Sequence, residues 1–366
     1  MGRFDIEYRV GTIRDREGIL RLFQNAFAMS EVSEKKESIW NWQMLHNPEG
    51  EPVIGLALYN NDIVGHYAVI PYNYINETGG KVRVGLVVDV MVHPAYQGKG
   101  VFVGLSKFTL YESVKRLGIE FAVGYPYTGT TYSKVIPGHK KVGWKELDRL
   151  TNYILPIRTD RIIMRQFNSL RYLAKTLGAL LNIMVALEVE LKSLRYKNSL
   201  TDGYVLSLQE AIQFNETDLK LIGEYSKRKF IKNRSSDFLS WRFIKKPDAN
   251  YKILRITNIR DATLAFLLLH IYTINSLKMG VVIDMISSCG NDNNYFLLKA
   301  GIDYFKQNGC DGVLLLDYTR SDLSTIRNSL GFLNTRQYYQ IINWQSDATV
   351  VLPKLPRVNW VDFDIF

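Results

Sequence analysis

The feature that most constrains the fold of this chain is an internal repeat. Four short segments of the first half recur in the second half, in the same order. The matching pairs are Trp42–Pro48 with Trp241–Pro247, Gly85–Met91 with Gly280–Ile286, Lys115–Glu120 with Lys306–Asp311, and Lys141–Trp144 with Ser329–Phe332. Collinear matches of this kind indicate a duplicated structural unit. Because 366 residues at roughly 100–200 per domain also suit two domains, the sequence predicts two related domains.

Helix and strand patterns alternate along residues 1–150. The predicted elements are, in order, a strand over 3–10, helices over 15–28 and 38–45, strands over 53–59, 63–75 and 82–92, a helix ending near 117, and a strand over 119–123. Apolar residues at helical spacing define the first helix. Pro48 ends the second, because the residue before a proline is disfavoured in the helical region. Polar turns join the three long strands into an antiparallel meander. The predicted fold class is therefore mixed α/β, of the α+β kind.

Residues 151–205 have a different pattern. Apolar residues form two stripes at helical spacing, the second of which runs from Leu173 to Leu194. Eight basic and three acidic residues lie within 158–197, a net charge of +5. Such a helix either packs between other elements with solvated basic edges or lies on an anionic membrane surface. The predicted organisation is a first domain over 1–150, a basic amphipathic helical connector, and a second domain with a C-terminal tail over 206–366.

The overall charge favours an anionic partner. Lys and Arg number 46 against 36 Asp and Glu, which gives a formal net charge of +10. Nucleotides, phosphosugars, nucleic acids and membrane surfaces all meet this requirement. Half of the excess lies in the connector, so the charge indicates an anionic partner there.

Composition and residue spacing argue against a disordered, disulfide-rich, metal-binding, secreted or membrane-spanning protein. Hydrophobic residues make up 46% and charged residues 22%, as in globular rather than disordered chains. Cys289 and Cys310 are too few for a disulfide framework, and the histidines lack ligand-like spacing, so no metal site is expected. The N-terminus is charged where a signal peptide is apolar, and the longest apolar stretch, 177–187, is shorter than the ~20 residues that span a bilayer. The expected location is the cytoplasm, with a peripheral membrane contact as an open alternative.

A glycine-rich turn follows the strand that ends at Val92. Gly98 and Gly100 stand directly before an amphipathic helix. Glycines let successive backbone N–H groups converge, and the helix N-terminus adds partial positive charge, so such a turn forms an anion-binding nest. The turn lacks the Gly-Lys-Ser/Thr ending of a Walker A loop, and the antiparallel strands before it exclude a Rossmann fingerprint.

In this context residues 3–150 resemble the GNAT acyltransferase superfamily, whose Arg/Gln-x-x-Gly-x-Gly/Ala loop binds the pyrophosphate of acetyl-CoA. Gln97 and Gly100 occupy the fixed positions of that motif, Phe102 replaces its final small residue, and Gly143-Trp144 matches the pair that closes the family's core domain. The resemblance implies mostly antiparallel twisted sheets flanked by helices, and acetyl-CoA or another acyl-CoA as co-substrate. The residues it assigns to CoA are Met91, Val92, Gln97, Gly98, Lys99, Gly100, Val101 and Phe102.

The equivalent loop of the second half, 287–294, lacks this motif and adds a negative charge. That half is therefore predicted to keep the fold as a degenerate copy without CoA binding. Tandem arrangements of this type resemble mycothiol synthases, N-myristoyltransferases and Fem-type aminoacyl transferases. The Trp-x-x-x-x-x-Pro element and Tyr125-Pro126 are similar to those of tandem GNAT proteins associated with bacterial surface-polysaccharide synthesis.

Acyl transfer to an amine needs a group that takes the amine's proton and one that protonates the thiolate. Asp89 lies just before the strand end that would supply an oxyanion N–H, and is the candidate base, although Asp284 at the matching position leaves a structural role open. His139 stands where the family has its thiolate-protonating Tyr, with Tyr132 seven residues earlier. His139 is predicted to titrate near neutral pH, or else to be an exposed histidine at a helix start.

The sequence thus predicts an acyl-CoA-dependent N-acyltransferase that acts on a primary amine, with a nucleotide-linked amino sugar as the preferred acceptor. One alternative is a Fem-like transferase that takes its acyl group from aminoacyl-tRNA. The intact loop at 97–102 argues against it, so nucleic acid is not expected as a partner. The other alternative is a non-catalytic scaffold that binds acyl-CoA or a membrane.

Overall fold

The structure is a computed structural model of the chain. It describes residues 5–27, 35–129, 135–166, 189–197, 199–227, 229–248, 250–274, 276–347 and 356–363, with the single positions 176, 178, 183 and 187. Tyr132 and much of the predicted connector lie outside these residues.

Strands and helices alternate through the described residues. The strands are β1 (Glu7–Val10), β2 (Val53–Tyr59), β3 (Asp62–Ile75), β4 (Lys81–Val92), β5 (Phe121–Gly124), β6 (Tyr127–Gly129), β7 (Lys145–Pro156), β8 (Tyr204–Gln209), β9 (Ile231–Lys232), β10 (Tyr251–Asn258), β11 (Thr263–Ile274), β12 (Leu277–Ser287), β13 (Gly312–Tyr318) and β14 (Leu333–Gln345). The helices are α1 (Arg16–Phe27), α2 (Glu37–Met44), α3 (Val101–Leu117), α4 (Ile136–Lys140), α5 (Thr159–Gln166), α6 (Glu216–Ser226), α7 (Ser236–Phe243), α8 (Asn291–Gln307) and α9 (Ser324–Ser329). The mixed α+β prediction is confirmed.

One compact unit comprises residues 1–149, 228–247 and 339–357. Its sheet runs β1-β2-β3-β4-β5, with every pair antiparallel except the parallel pair β4–β5, and the end of β14 pairs antiparallel with β5. β3 and β4 are long apolar strands whose central residues are buried, as expected where both faces of a sheet are covered. α3 packs on β2 and β3, and places its N-terminus beside the end of β4.

The second compact unit comprises residues 150–227, 248–338 and 358–366. Its sheet runs β8-β10-β11-β12-β13, again antiparallel except for the parallel pair β12–β13, and Leu150–Pro156 of β7 pairs antiparallel with β13. The strand order and the place of the parallel pair are those of the first unit. The internal repeat is thus a repeat of topology.

The units are not contiguous in sequence, unlike the predicted division at 1–150, 151–205 and 206–366. Residues 228–247 and 339–357 belong to the first unit, and the second begins at Leu150. The predicted helical connector also begins later than expected, because residues 151–156 complete strand β7. β-Branched and aromatic residues at 151–154 favour that strand over a helix.

Two tryptophans that occupy equivalent repeat positions meet inside the first unit. The indole rings of Trp42 on α2 and Trp241 on α7 stack with centroids 4.3 Å apart and an interplanar angle of 11°. Each indole N–H donates to the main-chain oxygen of the other tryptophan, at 2.9 and 3.0 Å. Both carbonyls lie in the last turn of a helix, where they have no intrahelical donor. The two helices therefore cap each other's C-terminal ends.

Replacement of either tryptophan by Phe should lower the free energy of unfolding by about 1–3 kcal/mol, because a buried carbonyl loses its donor while an aromatic ring is retained. Chemical denaturation of Trp42→Phe and Trp241→Phe measures this loss. Tyr111→Phe, a change at a side chain that is 67% exposed, is the control and should leave stability within about 0.5 kcal/mol of the parent. Parent-like stability of both tryptophan variants would contradict mutual capping.

Candidate active site

The central feature of the site is a β-bulge in β4. His66 pairs with Met91 and Ala68 with Val88, so that Asp89 and Val90 together lie opposite Tyr67 alone. Asp89 takes up the extra length in the left-handed region, with φ of 49°. Such a conformation is uncommon for a residue other than glycine and is found at bulges that redirect a side chain. Among the described residues, the pairing of β4 with β5 ends at Leu86, just before this bulge.

The carboxylate of Asp89 is held by an ion pair that the sequence did not reveal. The Lys35 ammonium donates to Asp89 Oδ2 and also to Gln43 Oε1. The side chains of Lys35 and Asp89 are only 10% and 16% exposed, and Gln43 is buried. Lys35 belongs to a mixed charged run, 34–37, which in sequence resembles any solvated helix start. A long-range partner in such a run leaves no local pattern.

His66 lies beneath the same bulge. Its Nδ1 is 2.6 Å from the main-chain oxygen of Asp89. Because a carbonyl only accepts, Nδ1 carries a proton, and burial lowers the pKa of His66, which keeps the ring neutral. Nε2 is therefore an acceptor, and it is buried without a hydrogen-bond partner in the described part of the chain. His66 thus fixes the backbone of Asp89 and leaves one orphan acceptor beside the bulge.

His139 lies in α4 and is packed among aromatic rings. Its ring centroid is 5.0 Å from Phe102 and 4.9 Å from Trp144, and Nε2 is 3.4 Å from the hydroxyl of Tyr67. Burial lowers the pKa of His139 to about 4. The expectations of titration near neutral pH and of an exposed position are therefore both wrong, since this histidine is 3% exposed. Any proton it donates at pH 7 must come from the neutral imidazole.

Tyr67 connects this aromatic group to the bulge. It is fully buried, and burial raises the pKa of its phenol, so the hydroxyl remains protonated at neutral pH. Its backbone lies opposite Asp89 and Val90 in the β3–β4 pair, and its hydroxyl is 3.4 Å from His139 Nε2. In the sequence, Tyr67 is one of several tyrosines in a predicted strand, and no local pattern distinguishes it from the others.

The glycine-rich loop follows the end of β4 through a short 3₁₀ turn over Pro94–Tyr96. Gly98 and Gly100 both have positive φ, at 74° and 83°, and no atom lies within 4 Å of the Cβ that either would carry. Gly100 is the N-cap of α3 and has no side-chain capping bond. The first N–H groups of a helix lack intrahelical partners, so the open space in front of α3 suits a pyrophosphate. The residues present fit the group that the motif predicts.

The other predicted CoA residues surround this loop. Gln97 Nε2 donates to the main-chain oxygen of Val92 at 3.1 Å, and Lys99 Nζ lies 5.3 Å from the ring centroid of Tyr96. Val101 is buried in the core. Met91 is buried too, and its register partner on β3 is His66.

Phe102, which departs from the family motif, points toward His139 and Gly138. A Cβ on Gly138 would lie 2.5 Å from the Phe102 ring, so the ring fits only because residue 138 is a glycine. The ring therefore packs under α3 and is compatible with the open loop.

The second unit lacks the open glycine loop and the positive-φ carboxylate at the matching positions. No residue of 287–294 has positive φ, and the loop is closed by its own side chains, with Ser287 Oγ bonded to Cys289 N and to Asn294. Asp284 pairs with Leu268 beside a register shift in which Ile283 is the extra residue of β12, but Asp284 does not have a positive φ, and its carboxylate accepts from Met285 N. Asp89 and Asp284 are therefore equivalent in sequence and different in conformation.

Residues 7–135 match the acetyltransferase (GNAT) domain family. The first unit of this chain is a GNAT domain. Domains of this family take an acyl-CoA thioester as co-substrate.

Solved structures of similar fold extend over most of the chain. They include GCN5-related N-acetyltransferases from Anabaena variabilis and Kribbella flavida, and a tandem GNAT protein from the clavulanic acid biosynthesis pathway. The TM-scores are 0.62, 0.59 and 0.61 at 13%, 11% and 11% identity. The matches cover 92%, 94% and 94% of this chain and 72%, 72% and 99% of the others. No curated protein matches. The whole chain has a tandem GNAT fold.

Two further kinds of feature are absent from the described residues. They contain no group of three or more His, Cys, Asp or Glu side chains arranged to hold a metal ion. No helix among them has the length and apolar character needed to cross a bilayer.

His139 should make the stability of this GNAT domain depend on pH. Its folded-state pKa of about 4 lies below the ordinary value of 6.5, so its contribution is complete above pH 6.5 and is lost as the pH falls toward 4. At pH 5 the loss amounts to about 2 kcal/mol. Urea denaturation at pH 7.5 and pH 5 should show this loss in the parent and a smaller one in His139→Phe.

His46→Gln, a change at an exposed histidine, should retain the parent's pH dependence. A His139→Phe variant that loses as much stability between the two pH values as the parent would show that the imidazole charges in the folded state.

Proposed function

We propose that this GNAT protein transfers an acyl group, most simply acetyl, from CoA to a primary amine. The observation that carries the proposal is the pair of positive-φ glycines before α3, with open space where side chains would be. The matching loop of the second unit has no such glycine pair and is closed by its own side chains. The first unit is therefore the proposed acyl-CoA site.

The reaction assigns a task to each part of the site. Backbone N–H groups of the loop at 97–102 hold the pyrophosphate, and the edge of β4 beyond Leu86 offers main-chain groups to an extended arm. Asp89 takes a proton from the acceptor amine. A backbone N–H at 90–92 stabilises the oxyanion as the N–C bond forms and the C–S bond breaks. The departing thiolate takes up a proton, for which His139 and Tyr132 remain the candidates.

The proposed acceptor is a nucleotide-linked amino sugar. Its phosphates suit the net charge of +10, and its amino group suits the site at Asp89. The resemblance to tandem GNAT proteins of bacterial surface-polysaccharide synthesis favours the same class of substrate. A Fem-like transferase would not need a pyrophosphate nest, and a scaffold would not need a carboxylate at the bulge.

We also propose a peripheral contact of the segment 158–197 with an anionic membrane. Four apolar side chains at spacings of four, four and three residues lie on one helical face, and each is more than half exposed: Ile183, Leu187, Leu191 and Leu194. A helix clamped between other elements would bury them. An exposed apolar face within a segment of net charge +5 is typical of helices that lie in the membrane interface.

The loop predicts CoA binding. Gly100→Glu adds a carboxylate to the nest and should abolish both the binding of CoA by isothermal titration calorimetry and acetyl transfer to amino-sugar nucleotides. Gly118→Glu is the matched control, because Gly118 caps the other end of α3 with φ of 63° and equally open space. The two variants should lose similar stability, about 1–2 kcal/mol, and only Gly100→Glu should lose CoA.

Equal CoA binding by the parent and by Gly100→Glu would refute the proposed function. CoA binding without transfer to any amine would favour the scaffold, and transfer from aminoacyl-tRNA alone would favour the Fem-like enzyme.

The membrane proposal predicts co-flotation with phosphatidylserine-containing vesicles and not with phosphatidylcholine vesicles. The double variant Leu191→Glu/Leu194→Glu should reduce the bound fraction by about tenfold, because both the apolar contact and the charge balance are weakened. Ile259→Glu, at another apolar side chain that is 80% exposed, is the control and should float like the parent. Unchanged flotation of the double variant would contradict the proposal. So would gel filtration in which the parent runs as a dimer and the double variant as a monomer, because the apolar face would then bind a second copy of the chain.

A further inference from the structure

The ion pair at the bulge places two oxygen acceptors around one ammonium group. Lys35 brings its ammonium to Asp89 Oδ2 and Gln43 Oε1 from a segment that lies 54 residues away in sequence from Asp89. We propose that the Lys35 ammonium occupies the position of the acceptor's ammonium group, and that a primary amine binds between Asp89 and Gln43 by displacing it. The assignment of this ammonium to an acyl acceptor rests on the proposed function, whereas the ammonium site itself does not.

The partners of Lys35 define the chemistry of the ligand. A carboxylate oxygen and an amide oxygen both only accept hydrogen bonds. The matching ligand therefore carries several N–H donors and a positive charge, as a primary ammonium does. A hydroxyl lacks the charge, and a quaternary ammonium lacks the donors.

The placement of the pair distinguishes it from an ordinary surface ion pair, which contributes little. Asp89 is the residue that the bulge turns into the left-handed region, and strained positions of this kind concentrate at functional sites. His66 Nδ1 donates a hydrogen bond to the main-chain oxygen of Asp89, and this bond fixes the backbone that carries the carboxylate. The buried and unpartnered Nε2 of His66 provides a further acceptor beside the bulge.

Removal of the Lys35 side chain should leave a recess that a free amine can fill. Lys35→Ala removes the ammonium from the largely buried Asp89 carboxylate and from Gln43 Oε1, and the loss of the charge next to Asp89 is unfavourable until another cation replaces it. n-Butylammonium reproduces the four-carbon chain and the charge of the missing side chain. It is therefore the probe of choice, and it requires no CoA.

The experiment is a thermal-shift titration of Lys35→Ala with millimolar n-butylammonium chloride at constant ionic strength. Saturable binding should raise the Tm by about 4 °C or more, while n-butanol and tetramethylammonium should have no such effect. The parent should respond only at concentrations at least about tenfold higher, because the amine must first displace the tethered lysine. Lys107→Ala, the same truncation at an exposed lysine of α3, should respond like the parent.

The double variant Lys35→Ala/Asp89→Asn should bind the amine at least about tenfold more weakly than Lys35→Ala, since the carboxylate is lost. If Lys35→Ala is unfolded, n-butylammonium in the refolding buffer should restore the folded state. An absence of both a saturable shift and such a rescue would overturn the inference, as would an equal response of the parent.

A second readout separates this inference from the proposed function. Lys35→Ala supplied with acetyl-CoA and n-butylamine should yield N-butylacetamide and free CoA in equal amounts, as the N–C bond forms and the C–S bond breaks. A thermal shift without this product would support the ammonium site and count against acyl transfer. Product formed equally by the parent, with no thermal shift in the variant, would support acyl transfer and overturn the ammonium site.

Discussion

The arrangement of the candidate active site depends on a length mismatch between two paired strands. β4 supplies Asp89 and Val90 where β3 supplies only Tyr67, and the ladder absorbs the difference by turning Asp89 into the left-handed region. At this bulge the Asp89 carboxylate meets Lys35, and the Asp89 main-chain oxygen accepts from His66. The pairing of β4 with β5 ends just before it, at Leu86. A bulge is a local irregularity of the backbone, yet this one lies where Lys35, His66 and Asp89, which are far apart in sequence, come together.

The interior around the bulge keeps its polar groups neutral. Burial lowers the pKa of His66 and His139 and raises that of Tyr67, so these three side chains carry no charge at neutral pH. Lys35 and Asp89 form a charged pair at the bulge, and they compensate each other. A site with neutral donors and one exchangeable ion pair can admit a cationic amine without leaving a buried charge unpaired.

Periodicity, turn residues and the repeat were sufficient to predict most strands of the first unit within one or two residues, because hydrophobic patterning and Gly/Pro/Asn turns are local signals. The glycine loop was predictable for the same reason. Lys35, Gln43 and His66 were not, since each takes part through a contact made by tertiary structure. Asp284 shows the converse limit: it matches Asp89 in sequence and also lies beside a register shift, but its backbone does not enter the left-handed region. Contiguous domain boundaries failed to anticipate that α7 packs with α2 through Trp42 and Trp241.

Because the fold is duplicated, the second unit can lack an anion-binding loop while the first unit keeps one. A pyrophosphate loop of the kind at 97–100 leaves helix N–H groups unsatisfied in the absence of a ligand, which is a cost to stability. In the second unit Ser287 and Asn294 bond to each other and to Cys289, so that loop is satisfied by its own side chains. One copy of the topology can thus be stable without a ligand while the other keeps the open glycines that binding requires. The asymmetry between the two loops, in an otherwise repeated strand order, is what we would expect when one unit retains the cofactor site and the other is released to diverge.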